Sequence, residues 1–255
     1  NQTSVRAMVE EISVVIIVKN GEKTIGKTLE SIHDFNDVVV YDNGSTDKTL
    51  SIAKNYPNVN LIQGDFSGFG PTKNKAATFA KNNWISSLDA DEVIDSAFVN
   101  GLKEKHLNRQ TIYLIFRKNY YKNTHIKHCW NNDKIIRLYH CQHTKFDNKK
   151  VHEKVLLKDL NVELLTGFVD HYPYDSITDF VKKLDIYSSE FARDNAGKKK
   201  SSPIKAVLNG GFSFFKTYFI KRGFLDGYAG LVIAFSHMAT NFYKYIKLYE
   251  LNQKK

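Results

Sequence analysis

The chain has 255 residues, 42% hydrophobic and 13% aromatic, enough to bury a substantial core, which excludes disorder throughout. Two cysteines, Cys129 and Cys141, supply neither a disulfide framework nor a four-ligand zinc site, so a reducing compartment is expected, and the N-terminus reads as no signal peptide. The net charge is +10, and twelve Lys or Arg against three acids from Phe191 to Lys255 put +9 of it in the last quarter, pointing to an anionic partner surface.

In chain order, Ile12-Ser13-Val14-Val15-Ile16-Ile17-Val18 is a nearly continuous β-branched run, suited to a parallel strand covered on both faces. Residues 22–33 carry apolar positions at helical spacing. Val38–Tyr41, Val59–Ile62 and Trp84–Leu88 read as strands, and Asp47–Tyr56 and Thr72–Asn82 as helices between them. This βαβα order predicts an α/β fold with a mostly parallel sheet flanked by helices. Thr111–Arg117, Lys134–Tyr139, Val151–Leu157 and Val162–Val169 read as further strands that extend the sheet or form a small mixed subdomain. Ile177–Arg193 reads as a helix. Gly197–Pro203 resembles a linker, so residues 1–196 are expected to form one domain and 197–255 a basic, amphipathic helical region. No window there is long and apolar enough to span a bilayer.

The chemistry concentrates at strand ends: Lys19-Asn20 after the first, Asp42-Asn43-Gly44-Ser45-Thr46-Asp47 after the second, Asp65 after the third, and Asp89-Ala90-Asp91-Glu92 after the fourth. Open α/β sheets bind ligands beyond the carboxyl ends of their strands. No Gly-x-Gly-x-x-Gly or P-loop sequence is present, and a carboxylate-rich, glycine-poor site suits a nucleotide held partly through Mg²⁺ or Mn²⁺. An extended Asp89-Ala90-Asp91 puts both carboxylates on one side, one toward the metal and the other toward a sugar or ribose hydroxyl.

Val18-Lys19-Asn20, Asp42–Asp47 and Asp89–Glu92, in this order and spacing, resemble family 2 glycosyltransferases of the GT-A fold. The resemblance implies an inverting enzyme that moves a sugar, a hexose, from a UDP-sugar. In it Lys19, Asn20, Asp42, Gly44, Ser45, Asp65, Lys73, Asp89, Asp91 and Arg137 face the nucleotide sugar. Asp42 contacts uracil or ribose, Asp91 and Asp89 are the metal-binding pair with Asp91 the more direct ligand, and Arg137 serves the diphosphate. Trp130–Asp133, Arg137–Tyr139, Val151-His152-Glu153 and Arg222–Gly227 further resemble the bacterial subfamily of lipopolysaccharide-core β-1,4-glucosyltransferases. That resemblance implies a glycan or glycolipid acceptor and a position at the cytoplasmic face of the inner membrane. Glu153 is then the first candidate for general base and Asp133 the second.

Several features admit another reading. Asp42–Asp47 also suits a helix cap, and Asp89–Glu92 a solvated loop. The pairs His125-x-x-His128 and His140-x-x-His143 have zinc-like spacing but sit in extended segments. The C-terminal aromatic stripes fit either a helix-bundle core or an interfacial pair on a membrane surface, while nucleic acid is not expected because no recognition motif accompanies the charge. Alternative functions are transfer to a protein and a non-catalytic nucleotide-sugar-binding membrane scaffold.

Overall fold

The computed structural model describes residues 9–131, 133–150 and 152–253. Nine strands form one sheet: β1 (Ile12–Val18), β2 (Asp37–Asp42), β3 (Val59–Gln63), β4 (Trp84–Ser87), β5 (Glu92–Ile94), β6 (Thr111–Tyr121), β7 (Thr124–His125), β8 (Asp133–His140) and β9 (Asn161–Tyr174). Their order is β3-β2-β1-β4-β8-β6-β9-β5, with β7 paired to β6. The helices are α1 (Ile25–Ser31), α2 (Thr49–Ala53), α3 (Phe69–Ala77), α4 (Ser96–Glu104), α5 (Ile177–Asn195), α6 (Pro203–Phe215) and α7 (Gly227–Gln253).

The first four strands in spatial order are parallel, as the βαβα pattern requires. Both faces of β1 and β2 are buried, and alternate residues enter different cores. Val14, Ile16, Val18, Val38 and Val40 pack with Ile25 and Leu29 of α1 and Phe98 and Leu102 of α4; Val15, Val39 and Tyr41 pack with Ala76 of α3. The remaining strands extend this sheet in antiparallel fashion where β8 meets β4 and β6, and β5 meets β9.

Some elements depart from the sequence expectation. The segment Val151–Leu157 makes no strand among its described residues, only a single bridge from Val155 to Phe146, and Val151 itself lies outside the described residues. Helix α3 begins at Phe69 rather than Thr72, because Pro71 falls within the first turn, where its missing N–H is harmless. The expected helix over 47–56 shortens to α2. Strand β5 and helix α4, the latter capped by the Asp95 carboxylate accepting from Phe98 N, were not anticipated.

The chain divides into two compact units, Asn1–Arg117 with Asp133–His171, and Lys118–Asn132 with Tyr172–Lys255. Helix α5 belongs with α7, since Lys247 Nζ lies 2.7 Å from Asp185 Oδ1 and Phe191 packs on Tyr245. The 197–203 segment is no free linker: Gly197 N donates to Asn252 Oδ1, Ser201 Oγ to Tyr245 O, and Ser202 caps α6. In this second unit the Arg222–Gly227 motif acts as a lock. The Asp226 carboxylate accepts from the backbone N–H of Lys127, His128 and Cys129 and from the His128 ring.

Candidate active site

The carboxyl ends of β1, β2 and β4 bring the predicted residues together in the first unit. Asn20, in the left-handed region at φ 54°, accepts from Thr46 N through Oδ1, and its own N–H donates to Ser45 Oγ. The first two strand-end loops are thereby tied to each other. Asp42 is fully buried. Its Oδ2 accepts from Gly44 N and Ser45 N at 3.0 Å each, while its Oδ1 has no hydrogen-bond partner among the described residues. A buried carboxylate oxygen without a donor is costly, which marks Asp42 Oδ1 as a position where an added donor would be stabilising. Gly44, at φ 88°, has open space around it, and Lys19 and Asp65 are exposed at their strand ends.

The acidic run is a turn, not an extended segment. Glu92 N donates to Asp89 O, and Asp89 N donates back to Glu92 Oε2. The two aspartates have different nearest partners, although Arg137 feels both charges. Asp89 accepts from Lys73 Nζ at 3.2 Å on Oδ1 and from Arg137 at 3.1 Å on Oδ2. Asp91 Oδ2 instead lies 3.4 Å from His171 Nε2, a pairing created by β5 and β9, whose register sets Glu92 opposite His171.

Asp89 belongs to a chain of alternating charges. Glu153 Oε1 accepts from Lys73 Nζ at 2.7 Å; Lys73 reaches Asp89; Asp89 meets Arg137; Arg137 binds both oxygens of the fully buried Glu92; and Arg117 links Glu92 to Asp133. Both base candidates are thus connected through one network. Burial alone would push the Asp89 carboxyl up, but Lys73, Arg137 and His171 outweigh it and hold it well below the usual carboxylate range. Burial likewise disfavours the Lys73 ammonium, yet Asp89 and Glu153 keep its pKa above the ordinary lysine value.

Arg137 sits at the centre of this network. Every guanidinium nitrogen of Arg137 is already engaged, Nε and Nη2 by Glu92 and Asp89, Nη1 by the Ile136 carbonyl. In this arrangement it anchors Glu92 and Asp89. Asp133 is gripped on both oxygens by Arg117.

Glu153 arrives from far along the chain because backbone packs on backbone. Phe69 N and Gly70 N donate to Lys150 O and Lys149 O, and Asn74 exchanges two hydrogen bonds with the Phe146 main chain. A Cβ on Gly70 would lie 2.0 Å from Asp147 O, so only glycine admits this approach. The loop it seats carries Glu153 to Lys73.

Sequence reasoning missed His171, Arg117 and the anchoring role of Glu92. Each depends on pairing between distant strands, and no local motif marks them. Among the described residues no group of three His, Cys, Asp or Glu is arranged as a metal site, and the histidine pairs do not form one. His128 is bound to Asp226, and His140 packs against His143. Asp91 and His171 supply two donor atoms 3.4 Å apart, close to the roughly 3 Å edge of an octahedron around a small divalent ion. Both are side-chain types that can ligate a divalent ion.

Comparison with known proteins agrees with this architecture. The model of glycosyl transferase family 2 matches residues 13–161, more than half of the chain, and the chain belongs to that family. It is a transferase with the GT-A type of α/β fold. Over 96% of its length it is 31% identical to an uncharacterized glycosyltransferase of Rickettsia typhi, covering 89% of that protein. A lipopolysaccharide core biosynthesis glycosyltransferase of Rhizobium meliloti, LpsC, is 24% identical over 88% of this chain and 89% of its own length. Among solved structures, S. aureus TarS 1–349 in complex with UDP-GlcNAc aligns over 96% of this chain and 91% of that chain at 18% identity, with a TM-score of 0.46.

Proposed function

We propose that this chain is an inverting, metal-dependent hexosyltransferase that moves a sugar from a UDP-sugar to a glycan or glycolipid acceptor. The observation that carries this reading is the division of labour within Asp89–Glu92. Asp89 is paired with Lys73 and Arg137, while the nearest partner of Asp91 is His171. The match to a relative named for lipopolysaccharide core biosynthesis supports the choice of acceptor class.

In this reading the open Oδ1 of Asp42 accepts a hydrogen bond from the uracil or ribose. Asp91 and His171 hold the ion, and an imidazole among the donors favours Mn²⁺ over Mg²⁺. The bound ion would neutralise charge on the diphosphate leaving group. Glu153 accepts the proton of the acceptor hydroxyl as that oxygen bonds to the anomeric carbon from the face opposite the leaving diphosphate, which departs with the bonding pair. One displacement inverts the configuration. Glu153 is preferred to Asp133 because only one of its oxygens is held by Lys73, whereas Arg117 forks both oxygens of Asp133. Asp89, Lys73 and Arg137 keep the turn in place.

The test is UDP release from a panel of UDP-sugars, with Mn²⁺ varied, for wild type and Glu153→Gln. Turnover falling about 10²–10⁴-fold in a folded variant supports the base assignment. Turnover that is unchanged in Glu153→Gln but lost in Asp133→Asn would move the role to Asp133.

A further inference from the structure

Helix α6 is amphipathic the wrong way round. A helix packed in a bundle turns its large apolar residues inward. Here the buried face is made of small residues, Ala206 and Gly210, and Gly210 sits so close to α7 that a Cβ would lie 3.1 Å from Met238 O and 3.2 Å from Phe242 Cβ. The large residues Ile204, Val207, Leu208, Phe212, Phe215 and Phe219 point outward, between 50% and 74% exposed. The apolar surface continues through Phe224 and Leu225 to Tyr228, which is 70% exposed. A stripe of this length is far beyond the scattered apolar residues that ordinary surfaces carry.

Its charge setting identifies what covers it. Lys198, Lys199, Lys200, Lys205, Lys216, Lys221 and Arg222 are all exposed along the same stretch. The one acid between residues 197 and 249 is Asp226, whose carboxylate is turned inward onto the backbone of 127–129. A second copy of this chain would bring the same excess of positive charge against itself. An anionic bilayer offers the complementary charge and an apolar interior for the phenylalanines. No helix among the described residues is long and apolar enough to cross a membrane, so the geometry is that of a helix lying in the interface.

We propose that the outward face of α6 and the turn that follows it docks on an anionic lipid surface, with Ile204, Leu208, Phe212 and Phe215 entering the headgroup–acyl boundary. This goes beyond sugar transfer and stands without it, since lipid binding is read with no donor or acceptor present.

The experiment is co-sedimentation of the full chain with vesicles of phosphatidylglycerol mixed with phosphatidylcholine, against phosphatidylcholine alone. Wild type, Leu208→Glu/Phe212→Glu and Lys216→Glu/Lys221→Glu are compared, and melting curves show that each is folded. The expected result is binding to the anionic vesicles at least about tenfold tighter than to the neutral ones. The apolar double variant loses that binding by about tenfold or more, and the lysine variant binds more weakly with a flatter salt dependence. Equal binding by wild type and the apolar variant overturns the proposal, as does equal affinity for neutral vesicles. A wild-type dimer in ultracentrifugation that Leu208→Glu/Phe212→Glu dissociates, with no vesicle binding by either, assigns the face to a second copy instead.

Discussion

At the scale of single residues, the site is governed by which charges are neutralised internally and which are left for a ligand. Glu92 is fully buried and relies on Arg137, itself 7% exposed. Removing Arg137 strands that charge, so Arg137→Met is expected to cost about 3–5 kcal/mol of stability, read as a lower denaturant midpoint at unchanged slope. Asp89 carries a pH consequence. Its folded pKa lies below the usual 3.8, so its contribution is complete above that value and is lost only as pH falls through the lower folded value. Asp89→Asn should therefore flatten the acid limb of the stability profile. His237 titrates nearer neutrality. Burial, then Lys221 and Lys244, push it from 6.5 down to about 4. Its neutral form is favoured in the fold, so stability is complete above about pH 6.5 and declines as pH falls toward 4. His237→Asn, which can still pair with Thr217, should remove that decline in melting temperatures measured between pH 7 and 4.

At the scale of elements, close backbone approach decides what is tolerated. Gly230 faces the carbonyl of Gly223 so closely that a Cβ would lie 1.8 Å from that oxygen. Gly230→Ala should destabilise by about 1–3 kcal/mol as the lock around Asp226 opens. Gly211, with nothing within 4 Å, should instead gain up to about 1 kcal/mol on substitution by alanine, seen as a higher melting temperature. The central strands were readable from β-branched runs, because burial on both faces leaves consecutive apolar residues at Val14–Val18 and Val38–Val40. Strand β5, three residues long, leaves no such pattern, and it exists through its pairing with β9. The same pairing brings His171 to Asp91. That is why Asp42, Asp89 and Asp91 were legible as strand-end acids while their histidine partner was not. The segment just before residues 152–157 is drawn against α3, where Lys149 and Lys150 accept from Gly70 and Phe69 and Phe146 pairs with Asn74, and of residues 152–157 Val155 makes a bridge.

At the scale of the whole molecule, composition placed the excess positive charge correctly in the last quarter but left open whether the aromatic stripes were core or surface. Exposure resolves this for α6, whose stripe faces outward. In the unit holding the strand ends, acids and bases alternate in one network, with Asp91 joined to it through His171 and Arg137 and Asp42 Oδ1 without a partner among the described residues. The proposed metal-assisted transfer rests on Asp91, and UDP release under varied Mn²⁺ tests it most directly with Asp91→Ala against wild type. The account predicts metal-dependent release by wild type and a loss of roughly a hundredfold or more in the variant, with the melting temperature retained. Undiminished, metal-independent release by Asp91→Ala would contradict it.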